Sequence, residues 1–377
     1  MSGAAHATAR FRALDGWRGV CALLVAAHHL EARGFLYWQP LIRNAWLFVD
    51  FFFVLSGFVI AHAYGEALST GPQLRDFAWR RFARLWPLHV AVLLALVGFE
   101  LVHLAIAHAD PIAGERAAFT ADRAPDTILT NLFLVQSLGL HPYETWNGPA
   151  WSISTEFYTY LVFAAVCLLT ADRTARRAVS LLLALGGAVV LARVSRYGMR
   201  ETFDWGFFRC LYGFFTGALT YELWRTHRAA GLGGTAAEAL AVAGVIAFLT
   251  FAPGRAALEY LAPPLFALAV LVFAAERGAL SRLLTTRPMA ALGRWSYSIY
   301  MVHTLVLVLL FSAVHSAELA FHRAWLIHLK DGNAILDLGG GDDFVLIVYL
   351  AAVTALAAFT WRAIERSGQR LFGPARA

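Results

Sequence analysis

The stretch from Asp15 to Leu30, DGWRGVCALLVAAHHL, is apolar, yet Arg18 stands near its start and His28 and His29 near its end. On a helix Arg18 and His29 return to one face, separated by about 16 Å along the axis, about half of a bilayer core. An ionisable side chain inside a membrane span is costly, so it faces the bundle interior and serves a pathway or a site. The pair therefore reads as an internal polar track. In the plainer alternative, Arg18 snorkels to the headgroups and His29 meets water at the far interface.

Four further constellations could join that track. The run VDFFFVLSGF places Asp50 at the outer end of a second span, with Ser56 and Gly57 at its centre. Asp50 could meet His29 or sit among the headgroups, and small residues such as Ser56 and Gly57 also suit a packing seam. In RRFARLWP, Arg81 and Arg84 project from one helix face. Guanidinium forks match phosphate oxygens, so the two suit a phosphorylated ligand at the inner surface, and equally ordinary positive-inside anchoring. In NGPAWSISTEFY, Gly148 and Pro149 break the chain, Trp151 or Ser152 opens a helix, and Glu156 lies one turn inside on the face of Ser152. The block LGRWSYSIYMVH puts Ser296 and His303 on one face with Tyr297 and Tyr300 beside them, either lining a substrate path or forming an aromatic belt.

The elements that must position these residues are membrane helices. Of 377 residues, 59% are hydrophobic and 15% charged, with a mean hydropathy of +0.59, which defines an integral membrane protein. Ten spans are expected, at 13–32, 44–64, 85–107, 150–170, 177–195, 206–224, 237–253, 260–276, 292–314 and 343–361, forming one all-α transmembrane domain over 1–377. Most of the 31 basic residues then fall on the side of the N-terminus, which predicts N-in and C-in. Asp15 and Arg18 interrupt the first apolar run, so it reads as a retained helix rather than a signal peptide. The segment Thr127 to Leu138 is too short to span and is expected at the interface. The three cysteines show no ligand spacing, and no metal site is expected. Phosphate-loop, dinucleotide, zinc-protease and α/β-hydrolase motifs are missing, as is any basic nucleic-acid face.

In order along the chain, RALDGWRGVCALLVAAHH, VDFFFVLSGF, RRFARLWP, NGPAWSISTEFY, SYSIYMVH and AIER resemble the membrane acyltransferase 3 family of bacterial multi-span O-acyltransferases. The resemblance runs from Arg12 to Arg366. It departs at Ile153 and Thr155, and no soluble esterase-like domain follows the last span. The resemblance implies transfer of an acyl group, usually acetyl, from acyl-CoA at the cytoplasmic face of the bacterial inner membrane to a hydroxyl of an extracytoplasmic acceptor such as a surface carbohydrate. Acyl-CoA is then a co-substrate, and no tightly bound cofactor is expected. His29 would act at the thioester as general base, oriented by Glu156 or Asp50, or through an acyl-histidine. Arg18, Arg81 and Arg84 would hold the donor, and Ser56, Trp151, Ser152, Tyr297 and His303 would line the path. The alternative is a transporter or flippase of a polar or lipid-linked substrate, which also uses intramembrane His, Glu and Arg. Internal repeats and paired broken spans, the marks of many transporters, are not found.

Overall fold

The computed structural model describes residues 10–109, 117–170, 172–227, 233–328 and 334–371. Its helices are α1 (Arg12–His29), α2 (Pro40–Arg43), α3 (Phe48–Tyr64), α4 (Gly71–Ala109), α5 (Thr127–Leu132), α6 (Trp151–Leu169), α7 (Arg173–Val194) and α8 (Gly206–His227). After these come α9 (Thr235–Phe251), α10 (Ala256–Glu259), α11 (Ala262–Ala274), α12 (Ala279–Leu284), α13 (Arg287–Phe321), α14 (Asp342–Thr360) and α15 (Arg366–Leu371). A short antiparallel hairpin, β1 (Leu326–His328) with β2 (Ala334–Leu336), lies in the loop before α14.

Each of the ten expected spans is helical, and among the described residues seven helices are long and apolar enough to cross a membrane by length and composition. The helices outside that set are α1, α8 and α9. Helix α9 has 17 residues. Helix α1 carries Arg12, Asp15 and Arg18, and α8 carries Arg209, Glu222 and Arg225. The charges that lower their apolarity include two that build the site, Arg18 and Arg209. The short segment after Thr127 forms only α5, too short to span, as expected. Helices α4 and α13 run longer than their expected spans, 39 and 35 residues.

Helix α3 is central: 72% of its apolar window is buried, against 28% for α4, 22% for α7 and 28% for α14, whose remaining apolar surface is left for lipid. In a bilayer apolar contact alone does not drive helices together, so close backbone approach and polar pairs must hold them. The seam between α1 and α13 shows how. A Cβ on Gly19 would lie 2.5 Å from the Leu292 carbonyl carbon, and one on Gly293 would collide with the Asp15 backbone. These glycines let α1 and α13 touch backbone to backbone, which brings Arg18 within reach of α13. Gly57, read from sequence as a seam residue, abuts the Phe214 carbonyl of α8. After Thr360, α14 continues through a π-helical turn, Trp361–Glu365, into α15. Such turns re-aim side chains, and here the turn ends on buried Glu365. The cysteines Cys21, Cys167 and Cys210 are free and buried.

Candidate active site

Two cavities lie among the helices. The first, called inner after the sidedness expected from the sequence, measures about 170 Å³ and is lined by Arg18, Arg81, Arg84, Glu156, Ser56, Tyr160, Ser296 and Tyr297 among others. The outer one is larger, about 780 Å³, and His28, His29, Glu31, Trp46, Glu144, Trp151, Arg200 and Arg209 line it. Val49 and Tyr300 line both. The single polar track expected from Arg18 to His29 is therefore replaced by two chambers that meet at those side chains. Arg18 serves the inner one and His29 the outer. The partition is polar at one point: Ser152 Oγ and Tyr300 Oη are 2.8 Å apart, and the Tyr300 hydroxyl donates to the Pro149 carbonyl at 3.0 Å.

In the inner chamber Arg18 donates from Nε to Ser296 Oγ at 2.9 Å and from a terminal nitrogen to the Gly293 carbonyl at 3.1 Å, while Asp15 pairs with it at 3.2 Å. The glycine seam supplies that geometry. Arg84 is paired to Glu365, which also accepts from Ser298 Oγ at 2.8 Å, so AIER ties the chain's last helices to α4. Arg81 differs. It donates to Tyr64 Oη at 3.1 Å and lies over the rings of Tyr64, Phe77 and Tyr160. Its Nε has no hydrogen-bond partner, and it makes no ion pair among the described residues. Of the two arginines it is thus the freer cation. Glu156 accepts from Tyr160 Oη at 2.6 Å, and that hydroxyl lies 2.9 Å from Ser56 Oγ.

His29 closes α1 on the outer chamber. Its Nδ1 is 2.8 Å from the Val25 carbonyl oxygen. A carbonyl only accepts, so Nδ1 carries the proton and Nε2 keeps a free lone pair. His303 packs behind it, ring centroids 4.8 Å apart. Nδ1 of His303 is 3.3 Å from the Ile299 carbonyl oxygen, and its buried Nε2 has no partner. His303, expected to line the path, lines neither chamber.

Neither expected carboxylate touches His29. Asp50 is buried with both oxygens on Arg209, at 2.9 and 2.7 Å, and lines neither chamber. Glu156 lies in the inner chamber, on the far side of the partition. The expected orienting role is filled by the Val25 carbonyl, one helical turn earlier on α1. Sequence reading missed Arg209 and Glu144 in the outer chamber. The signal for Arg209 was present, an arginine set in the apolar first half of α8 opposite the lone aspartate of α3. Arg209 also donates to the Glu201 carbonyl at 3.2 Å and lies over Trp46 and Trp151 at 5.4 and 5.3 Å. Trp151 thus lines the outer chamber by holding this arginine, whereas Ser152 and Tyr297 line the inner one. Among the described residues no group of three metal-ligating side chains gathers.

A family model described as an acyltransferase domain, acyltransferase 3, matches residues 11–362. The chain belongs to that family and is an acyl-transferring enzyme of the membrane. Protein 2 of the picA locus of Rhizobium radiobacter is 32% identical over 196 residues, 50% of this chain and 96% of that protein. The acyltransferase MdmB of Streptomyces mycarofaciens is 32% identical over 164 residues, 41% of this chain but only 38% of its own length. No solved structure matches the chain.

The buried pair generates a test. Removing one partner of a buried ion pair strands the other charge, which costs about 3–5 kcal/mol, whereas removing both is far milder. Asp50→Asn should lower the melting temperature in detergent strongly, and Asp50→Leu combined with Arg209→Met should recover most of it. An unchanged melting temperature in Asp50→Asn would show that the pair does not hold α3 to α8.

Proposed function

We propose that the protein transfers an acyl group, acetyl being the expected one, from a cytoplasmic acyl-CoA to a hydroxyl of a carbohydrate acceptor outside the inner membrane. The observation that carries this reading is the pair of chambers meeting at Val49 and Tyr300, with the free Nε2 of His29 on the outer side. The reading assigns the bundle ten helices with N-in and C-in, so that Arg81 and Arg84 lie at the cytoplasmic end. CoA phosphates dock on Arg81 first, because Arg84 is shared with Glu365. The thioester then reaches the partition through the inner chamber past Arg18.

The acceptor hydroxyl approaches from the outer chamber. His29 Nε2 takes its proton as the hydroxyl oxygen bonds to the thioester carbonyl carbon. The tetrahedral intermediate collapses with cleavage of the C–S bond, and the imidazolium returns the proton to the departing CoA sulfur. The Val25 carbonyl holds the ring in the tautomer that this requires and favours the imidazolium between the two steps. His303 backs the ring on its other side, which fixes its plane.

Mass spectrometry of envelope glycans and secreted metabolites from cells with wild-type or His29→Ala protein tests the reading. One molecule should lose an acyl increment in the mutant, and purified His29→Ala or His29→Asn should lose about 10²- to 10⁴-fold in turnover with donor binding retained. Near-full acylation by His29→Ala would overturn the base. Arg81→Gln removes the freer cation without stranding a carboxylate. Since a hydrogen bond to a charged group is worth about 1.5–3 kcal/mol, it should raise the donor KM roughly 10- to 100-fold with kcat little changed. An unaltered donor KM would place the phosphates elsewhere.

A further inference from the structure

A third cavity, about 230 Å³, lies between α1, α2, α3, α9 and α11, and every residue lining it is aliphatic, aromatic or cysteine. It is continuous in placement with the outer chamber. Helix α1 gives Leu24 to the slot and His28 to the chamber; α9 gives Ile246 to the slot and Thr250 to the chamber. Each step is one helical turn, about 6 Å of rise. Helix α2 does the same across its width, Leu41 facing the slot and Arg43 the chamber. By contrast, α2 and α9 contribute nothing to the lining of the inner chamber. From Leu14 to Leu24 the slot runs about 15 Å along α1, half the thickness of a hydrocarbon core. Its rim residue Ile246 is 46% exposed on the surface of α9.

The chamber above the slot carries cations that the fold does not use up. Arg43 is exposed, lies 4.6 Å over the Trp38 ring and forms no ion pair among the described residues. Arg200 lies 5.0 Å over Trp46, and Glu259 meets it only at 3.9 Å. Guanidiniums that lie over aromatic rings beside a polar chamber keep N–H groups for an anion, and phosphate is the anion their fork geometry fits. Glu144 in the same wall offers an acceptor for sugar hydroxyls.

We infer that the acceptor is a lipid-anchored glycan phosphate: its hydrocarbon chain enters the slot between α1 and α9, its phosphate meets Arg43 and Arg200, and its hydroxyl reaches His29. This rests on the reading of the outer chamber as the acceptor site. The acceptor is then presented from within the membrane rather than from the aqueous phase. The slot is a substrate site of the enzyme, not a resting place for bulk lipid.

The test uses the full chain in its own membrane. A benzoylphenylalanine is placed at Val242, in the slot, or at Leu240, which is 73% exposed on the outside of α9. After irradiation the adducts are identified by mass spectrometry. Val242 should capture a lipid that bears both phosphate and sugar, and Leu240 should capture bulk phospholipid. The same bulk phospholipid at both positions overturns the inference. Because the bulky residue could itself block the slot, lipid retained by the otherwise unaltered protein in mild detergent is extracted in parallel. It should contain the same glycan phosphate, reduced tenfold or more in Arg43→Glu. Equal retention in Arg43→Glu overturns the phosphate contact. Envelope acylation that persists when neither experiment finds such a lipid would sink this inference alone, whereas loss of the acyl product's dependence on His29 would sink the underlying reaction.

Discussion

An arginine inside a membrane must be given partners, and the placement of helices around this site follows from how two arginines get theirs. Arg209 on α8 is buried and takes both oxygens of Asp50 on α3, a backbone carbonyl and two tryptophan faces. Arg18 on α1 takes Asp15, Ser296 and the Gly293 carbonyl. The first pair fixes the central helix α3 against α8. The second, made possible by glycines at the backbone contact, fixes α1 against α13. With α1 and α3 so placed, His29 is held at the wall of one chamber and Arg18 at the wall of the other.

The division into chambers bears on how a reaction could join two compartments without opening a pore. Val49 and Tyr300 contribute to both cavities, so only a thin partition would separate the proposed donor from the proposed acceptor. Cationic and aromatic residues dominate the inner side near α4, where a nucleotide phosphate would be held. The outer side mixes carboxylates, arginines and tryptophans, a surface suited to a hydroxylated ligand. A transporter would need that partition to move; an acyl transfer needs only the thioester carbon and one oxygen to meet across it.

Much of this was readable in the chain because local chemistry marked it. Gly148 and Pro149 announce the start of α6, Glu156 falls one turn inside it, and Arg81 and Arg84 share a cavity-facing side of α4, all from spacing alone. Partnerships were not readable. Asp50 meets Arg209 across 159 positions, and Arg84 meets Glu365 across 281, separations over which sequence periodicity carries no pairing information. The pairing of Glu156 with His29 was unreadable for a related reason: a position one turn inside a helix does not say which cavity its face meets. Composition alone picks out fewer spans than the pattern of helices does, since α1 and α8 carry charges that a plain membrane helix would not.

The central claim is that donor and acceptor enter from opposite faces of the membrane and meet at His29. Inside-out and right-side-out vesicles prepared from the producing cells, each given membrane-impermeant labelled acetyl-CoA, measure it most directly. The account predicts label in an envelope acceptor from inside-out vesicles and little from right-side-out ones, with the signal abolished by His29→Ala. Equal labelling in both orientations would contradict it.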